Sequence, residues 1–219
     1  MAMNVAIDGP AGAGKSTIAK AVAAKKGYIY IDTGAMYRAM ALYFIKAGIK
    51  PDDEEAIAKS VDDIVVKIEY VDGAQHVILN GEDVTGMIRT EEVGNMASAT
   101  SVYAPVRTKL VSLQQELAKT TDVIMDGRDI GTVVLPNADV KIFLTASVEC
   151  RANRRYKELI EKGKEADYDK IAKDIEERDY RDSHREISPL KQADDAILVD
   201  SSDMTIDEVV DTIIGYCNK

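Results

Sequence analysis

Cysteine is almost missing from this chain of 219 residues: Cys150 and Cys217 are its two. They are far apart and have no metal-ligand spacing. This excludes a disulfide framework and a thiolate metal site, and both read as reduced thiols. Histidine is equally scarce. His76 falls in a hairpin pattern and His184 follows a polar helix stripe, so no Ser, Cys or His nucleophile with a paired base is evident. No apolar run approaches the roughly 18 residues of a membrane helix. The start, Met1-Ala2-Met3-Asn4, carries no basic region. The expectation is a cytoplasmic protein that does not contact a membrane. Positive charge is also in deficit. The net charge of −10 argues against a broad nucleic-acid-binding surface. Nothing in the sequence signals an obligate dimer, so a monomer is expected.

What is present starts with Gly9-Pro10-Ala11-Gly12-Ala13-Gly14-Lys15-Ser16, which fits G-x-x-x-x-G-K-[ST] directly after the apolar run Val5-Ala6-Ile7. A buried strand feeding a glycine-rich turn that opens a helix is the context this motif requires. Backbone N–H groups of the loop wrap the phosphates of a nucleotide, Lys15 reaches the β/γ-phosphates and the Ser16 hydroxyl binds Mg²⁺.

Apolar runs at Val5–Ile7, Tyr28–Ile31, Val123–Met125, Val140–Leu144 and Ala196–Val199 read as strands. Between them lie amphipathic helices starting near Lys15, Gly34, Pro105, Ser147 and Thr205. The alternation predicts an α/β fold with a five-stranded parallel sheet covered by helices on both faces. Ligands bind at the carboxyl ends of such strands. The polar clusters after the strands, at Asp8, Asp32, Asp126 and Asp200, are therefore expected on one rim. Between about Asp62 and Thr90 the pattern changes. Two β-rich runs flanking Asp72-Gly73-Ala74-Gln75 predict a hairpin, and Asn80-Gly81 a second turn, in a small antiparallel insert. The segment Lys162–Asp167 is either a mobile lid or a plain helix–helix connection.

The arginines are concentrated. Of ten, nine lie in or beside polar motifs: Arg38, Arg107, Arg128, Arg151, Arg154, Arg155, Arg178, Arg181 and Arg185. The planar guanidinium suits bidentate binding of phosphate and carboxylate, so an acidic protein with clustered arginines points to a small polyanion. In Asp32-Thr33-Gly34-Ala35-Met36-Tyr37-Arg38, Thr33 can cap a helix, and Arg38 with Tyr37 can reach a phosphate and sugar. Cap and binding segment remain equal readings there. Asp126, at the end of an apolar strand, is placed like the acid that holds Mg²⁺ through water in P-loop enzymes, with Arg128 and Asp129 following. From about Tyr168 to Arg185, one helix stripe runs Ile171, Ile175, Arg178, Asp182, Arg185. An apolar stripe that turns into Arg-Asp-Arg directs its charges inward, with a solvated ion-pair face as the alternative. Arg151, Arg154 and Arg155 share a face of the preceding helix. Two anion sites follow from these features, and phosphoryl transfer to an acceptor already ionised at pH 7 fits the missing nucleophile–base pair.

At these residues the chain resembles the bacterial cytidylate kinases of the nucleoside monophosphate kinase family, over essentially its whole length. The likeness rests on Ile7–Thr17, Asp32–Arg38, Gly81–Thr85, Ile88–Val93, Asp126–Val134 and Glu177–Asp182. The run Asp-Gly-Arg-Asp-x-Gly-Thr-Val-Val and the insert hairpin are far more specific than the P-loop. The resemblance implies one P-loop kinase domain over 1–219, an acceptor-binding insert at about 62–100 and a lid at about 154–168. The implied reaction turns ATP and CMP or dCMP into ADP and CDP or dCDP, with Mg²⁺. Gly9 to Thr17 would hold ATP, and Ser16 with Asp126 the metal. Thr33, Arg38, Arg128 and Arg185 would hold the acceptor phosphate. Tyr37, Arg178 and Asp182 would contact the sugar, and Ser98, Arg107 and Asp129 would read the base. Lys15, Arg128, Arg154, Arg155 and Arg185 would act on the transferring phosphate.

The base assignment agrees with the chemistry of cytosine. Its N4 amino group suits an aspartate acceptor and its N3 and O2 an arginine donor, whereas uracil would set O4 against the Asp129 carboxylate. On the residues alone three rivals stay open: another small-molecule kinase on the same scaffold, a GTP-binding switch and a nucleotide-dependent scaffold. The switch lacks an Asn-Lys-x-Asp segment to read guanine.

Overall fold

In the computed structural model, which describes residues 2–71 and 73–218, the chain divides into two compact units, Met1–Tyr30 with Thr121–Lys219 and Ile31–Thr120. Met1, Asp72 and Lys219 lie outside the described residues.

The first unit is built on β1 (Asn4–Asp8), β6 (Val123–Gly127), β7 (Val140–Thr145) and β8 (Ile197–Asp200). β2 (Ile29–Asp32) straddles the boundary between the units. The sheet order is β2-β6-β1-β7-β8, and β1 pairs in parallel with both neighbours. A strand between two others, covered on both faces, carries no polar alternation, and Val5, Ala6 and Ile7 are fully buried. α1 (Lys15–Lys26) and α8 (Ile206–Cys217) pack together, with Ile18, Val22, Val209, Val210 and Ile213 in one core with Val5, Ile7, Ile124, Ile142 and Leu144. Each such side chain contributes about 1.5–3 kcal/mol by leaving water. α8 begins with a full capping box between Thr205 and Glu208. α6 (Val148–Glu161) and α7 (Tyr168–His184) follow β7 and pack against each other.

In the second unit α2 (Thr33–Lys46) buries Met36, Ala39, Met40 and Phe44, a helical stripe of the expected spacing. α3 (Glu54–Ser60) precedes an antiparallel sheet of β3 (Val66–Val71), β4 (Ala74–Leu79) and β5 (Glu82–Asp83). Then come α4 (Glu91–Thr100) and α5 (Ala104–Leu117).

The predicted strands and helix starts of the α/β sheet fall within a residue or two of those observed. The hairpin is tighter than the four-residue turn expected from the sequence. Val71 pairs with Ala74, so Ala74 and Gln75 belong to β4, and Gly73 takes φ +77°. Thr33 is the first residue of α2 and not its cap. Asp32 caps the helix by accepting the N–H of Ala35 at 2.9 Å.

Candidate active site

The P-loop joins β1 to α1 and is held closed from beneath by its own lysine. Lys15 Nζ donates to the carbonyl oxygens of Gly9 and Pro10, both at 2.7 Å, and is buried. Burial and then the nearby Arg128 guanidinium push its ammonium down to about 7. No side chain caps α1, whose first residue follows Gly14 at φ +86°, and its first turn carries no acid. The helix therefore offers an N-terminus suited to an anion. Gly9 has no room for a side chain: a Cβ there would stand 1.9 Å from the Leu144 carbonyl oxygen.

Ser16 Oγ donates to Asp126 Oδ2 at 2.8 Å, and Tyr30 OH donates to Oδ1 of the same carboxylate at 2.8 Å. A hydroxyl and a carboxylate side by side form a fitting partial shell for Mg²⁺, which takes few protein ligands and completes its octahedron with water and phosphate oxygens. Among the described residues no group of three or more His, Cys, Asp or Glu stands ready to bind a metal. The donor set accordingly fits a metal that arrives with its nucleotide.

Arg128 and the polar stripe of α7 meet in the same unit. Arg128 Nε donates to Asp182 Oδ2 at 2.8 Å, and Arg185 lies 3.7 Å from Asp129 Oδ1. Asp182 and Asp129 are buried, and Arg178 and Arg185 are partly buried. Burial pushes the Asp182 carboxyl up, but the guanidiniums of Arg128, Arg178 and Arg185 outweigh it and hold the group below the usual carboxylate range. The inward reading of the stripe is therefore the observed one. Arg181, at its edge, is exposed and donates to the Glu177 carbonyl.

The three arginines of α6, grouped in sequence by their shared face, have separate surroundings. Arg155 is exposed and paired with Glu158 at 2.8 Å. Arg154 donates to the carbonyl and hydroxyl oxygens of Ser201, at 2.7 and 3.3 Å. Arg151 is buried, with Nε on the Ala146 carbonyl at 2.9 Å, Nη1 on the Ala11 carbonyl at 2.9 Å and Nη2 on Asp179 at 2.6 Å. Its stem packs on the P-loop at Gly12, where a Cβ would meet Arg151 Cβ at 3.4 Å. Sequence reasoning assigned Arg151 no site role, because nothing local separates it from its two neighbours.

In the second unit Asp32 gathers two guanidiniums, Arg38 at 3.2 Å and Arg89 at 2.7 Å. Burial raises the Asp32 carboxyl, and Arg38 and Arg89 more than offset this, so it titrates below the ordinary range. Arg89 has a half-exposed side chain, and sequence reasoning gave it no role. Its signal was there in Ile88-Arg89-Thr90, one of the motifs that carry the resemblance. Thr33 is buried. Arg107 is also buried, with its guanidinium 5.9 Å from the centre of the Tyr37 ring. Ser98 lies partly buried on α4. The unit thus brings together Asp32, Arg38 and Arg89, and separately Tyr37 and Arg107.

The chain is similar to known proteins over nearly its whole length. A family model described as cytidylate kinase matches residues 5–219. A cytidylate kinase of Ligilactobacillus salivarius (strain UCC118) is 54% identical over 217 residues, covering 99% of this chain and 97% of that one. One from Lactobacillus johnsonii (strain CNCM I-12250 / La1 / NCC 533) is 56% identical over 217 residues, covering 99% and 94%. Among solved structures, a gluconokinase from Sinorhizobium meliloti 1021 aligns with a TM-score of 0.50 at 14% identity, covering 99% of this chain and 92% of that one. At that identity the likeness concerns the fold alone. The chain belongs to the cytidylate kinase family.

Proposed function

We propose that this protein transfers the γ-phosphoryl group of ATP to CMP and dCMP, giving ADP with CDP or dCDP. The observation that carries this reading is the pairing of Lys15 with Arg128. Lys15 is buried, and its burial first and the charge of Arg128 second push its ammonium down to about 7. A transferring phosphoryl group between them turns that repulsion into attraction on both sides. A phosphate oxygen of CMP attacks the γ-phosphorus in line, and the bond from that phosphorus to the β,γ-bridging oxygen breaks. The acceptor is ionised at pH 7, so no side-chain base is needed.

Each residue set has a role in this reading. The P-loop from Gly9 to Thr17 holds ATP, and Lys15 follows the β- and γ-phosphates. Ser16, and Asp126 through water, would hold Mg²⁺, which would supply neutralisation of the phosphate charge. Arg128 and Arg185 take the acceptor phosphate, with Arg178 and Asp182 at its sugar and Asp129 at its base. Thr33, Arg38, Tyr37, Ser98 and Arg107 are assigned to the same acceptor by the family resemblance, which also makes the segment at about 62–100, with Ser98 in it, the acceptor-binding insert. The segment at about 154–168 acts as the lid, and Arg154 and Arg155 act on the transferring phosphate after turning from their present partners. Exclusion of water keeps ATP from hydrolysis. We further read the protein as a cytoplasmic monomer whose ligands are nucleotides, with no nucleic-acid or membrane partner. No helix among the described residues is long and apolar enough to cross a membrane.

Chromatography of a mixture with Mg-ATP and CMP tests the reaction. Equal amounts of ADP and CDP are expected. ADP without CDP would mean hydrolysis, and neither product would revive the switch or scaffold readings.

A further inference from the structure

Asp8 is the last residue of β1 and is buried. Its carboxylate spans a chain distance of more than a hundred residues to one turn. Oδ1 accepts the N–H of Ile130 and Oδ2 the N–H of Gly131, each at 2.7 Å. These are the first two N–H groups of a single π-turn, Ile130–Val134, and N–H groups at a helix start have no partner within the helix. Asp129 precedes that turn with φ −148° and ψ 27°, outside the regular helical and strand regions. The ψ of Asp129 sets the direction of the Ile130 N–H, so an acceptor fixed on that N–H also fixes the backbone of Asp129. Gly131 lies close against the same group. A Cβ there would stand 3.2 Å from Lys141 Cδ and 3.4 Å from Asp8 Oδ2. Lys141 is itself anchored, 2.8 Å from Asp195 and 2.6 Å from the Pro136 carbonyl.

We propose that Asp8 is a positioning residue for acceptor choice: its carboxylate locks the backbone from Asp129 to Gly131 and so aims the Asp129 carboxylate at the base of the acceptor. The inference rests on the reading of Asp129 as the group that recognises cytosine. Gly9, the first P-loop residue, directly follows Asp8, so one residue ties the strand that carries ATP's loop to the turn that selects the acceptor. A site that reads by hydrogen bonds discriminates only as well as its groups are held in place.

Asp8→Asn keeps the size of the side chain but offers one acceptor and one NH₂ donor to two N–H donors, so one bond fails. The CMP/UMP ratio of kcat/KM is expected to fall about tenfold, the effect of about one hydrogen bond. KM for CMP rises in proportion and KM for ATP moves less than about twofold. Gly131→Ala leaves Asp8 in place and presses a methyl group between it and Lys141. It gives the same split, and it decides the matter should Asp8→Asn fail to fold. An unchanged CMP/UMP ratio in the variant, even with a lowered Tm, overturns the proposal, as does a KM for ATP that rises as much as that for CMP. A wild-type enzyme with no preference for CMP over UMP would instead remove the reading of Asp129, and this inference with it.

Discussion

Arg151 donates to the carbonyl oxygen of Ala11 at 2.9 Å while its other arm holds Asp179 at 2.6 Å, so one guanidinium joins the P-loop to α7. Breaking a buried ion pair on one side leaves the other charge without compensation. Arg151→Ala is expected to cost about 3 kcal/mol of stability, measured by denaturant unfolding, and to raise KM for ATP more than KM for CMP. Arg151→Lys keeps the charge but not the planar fork, and should fall between the two.

The Ser16–Asp126 hydrogen bond of 2.8 Å places the proposed metal ligands together. Chelation should abolish turnover, and added Mg²⁺ should restore it. Ser16→Ala should shift the Mg²⁺ requirement upward by about tenfold, the scale of one lost ligand interaction, with unfolding little changed. A Mg²⁺ titration of initial rate checks both. A Ser16→Ala enzyme with the wild-type Mg²⁺ dependence contradicts the assignment.

Asp182 is held below the usual carboxylate range by three guanidiniums acting against its burial. Its folded pKa is thus lower than its unfolded one. The stability it supplies is complete above the unfolded value of roughly 4 and is lost as the pH falls through the folded value. Asp182→Asn should therefore lower Tm clearly at pH 7, by about 5–10 °C for a loss of about 3 kcal/mol. The gap to wild type should narrow only below about pH 4. Melting curves of both proteins from pH 3 to 7 test the sign. A gap that widens on acidification contradicts it.

Gly9→Ala places a methyl group where the Leu144 carbonyl oxygen already stands, at 1.9 Å and at φ +151°. Backbone cannot yield as a side-chain tip can, so the P-loop must move. ATP binding by calorimetry should weaken by at least about a hundredfold.

Much of the fold was legible because the signals that make it are local. Apolar runs such as Val5–Ile7 and Val140–Leu144 read as strands, and the helix starts expected near Gly34 and Thr205 lie within a residue of those observed, although the cap of α2 is Asp32 and not Thr33. The stripe of α7 was legible too, since Arg178, Asp182 and Arg185 recur at helical spacing behind Ile171 and Ile175. α3 and α4 were not, being short and set around an insert whose β pattern dominates. Thr90 nonetheless caps α4 by accepting the Val93 N–H at 3.3 Å. What the sequence hides is partnership across distance. Spacing alone cannot separate Arg151, on a P-loop carbonyl, from Arg155, on Glu158 one helical turn away. Nor does a strand-end Asp8 announce that its partners are the N–H groups of Ile130 and Gly131.

The most direct measurement is coupled ADP release with Mg-ATP against CMP, dCMP, UMP, AMP, GMP and no acceptor, for wild type and Asp129→Ala. The account predicts turnover confined largely to CMP and dCMP in the wild type, and a CMP/UMP preference that collapses by at least about a hundredfold in the variant. Equal rates with CMP and UMP in the wild type, or a preference untouched by Asp129→Ala, would contradict it.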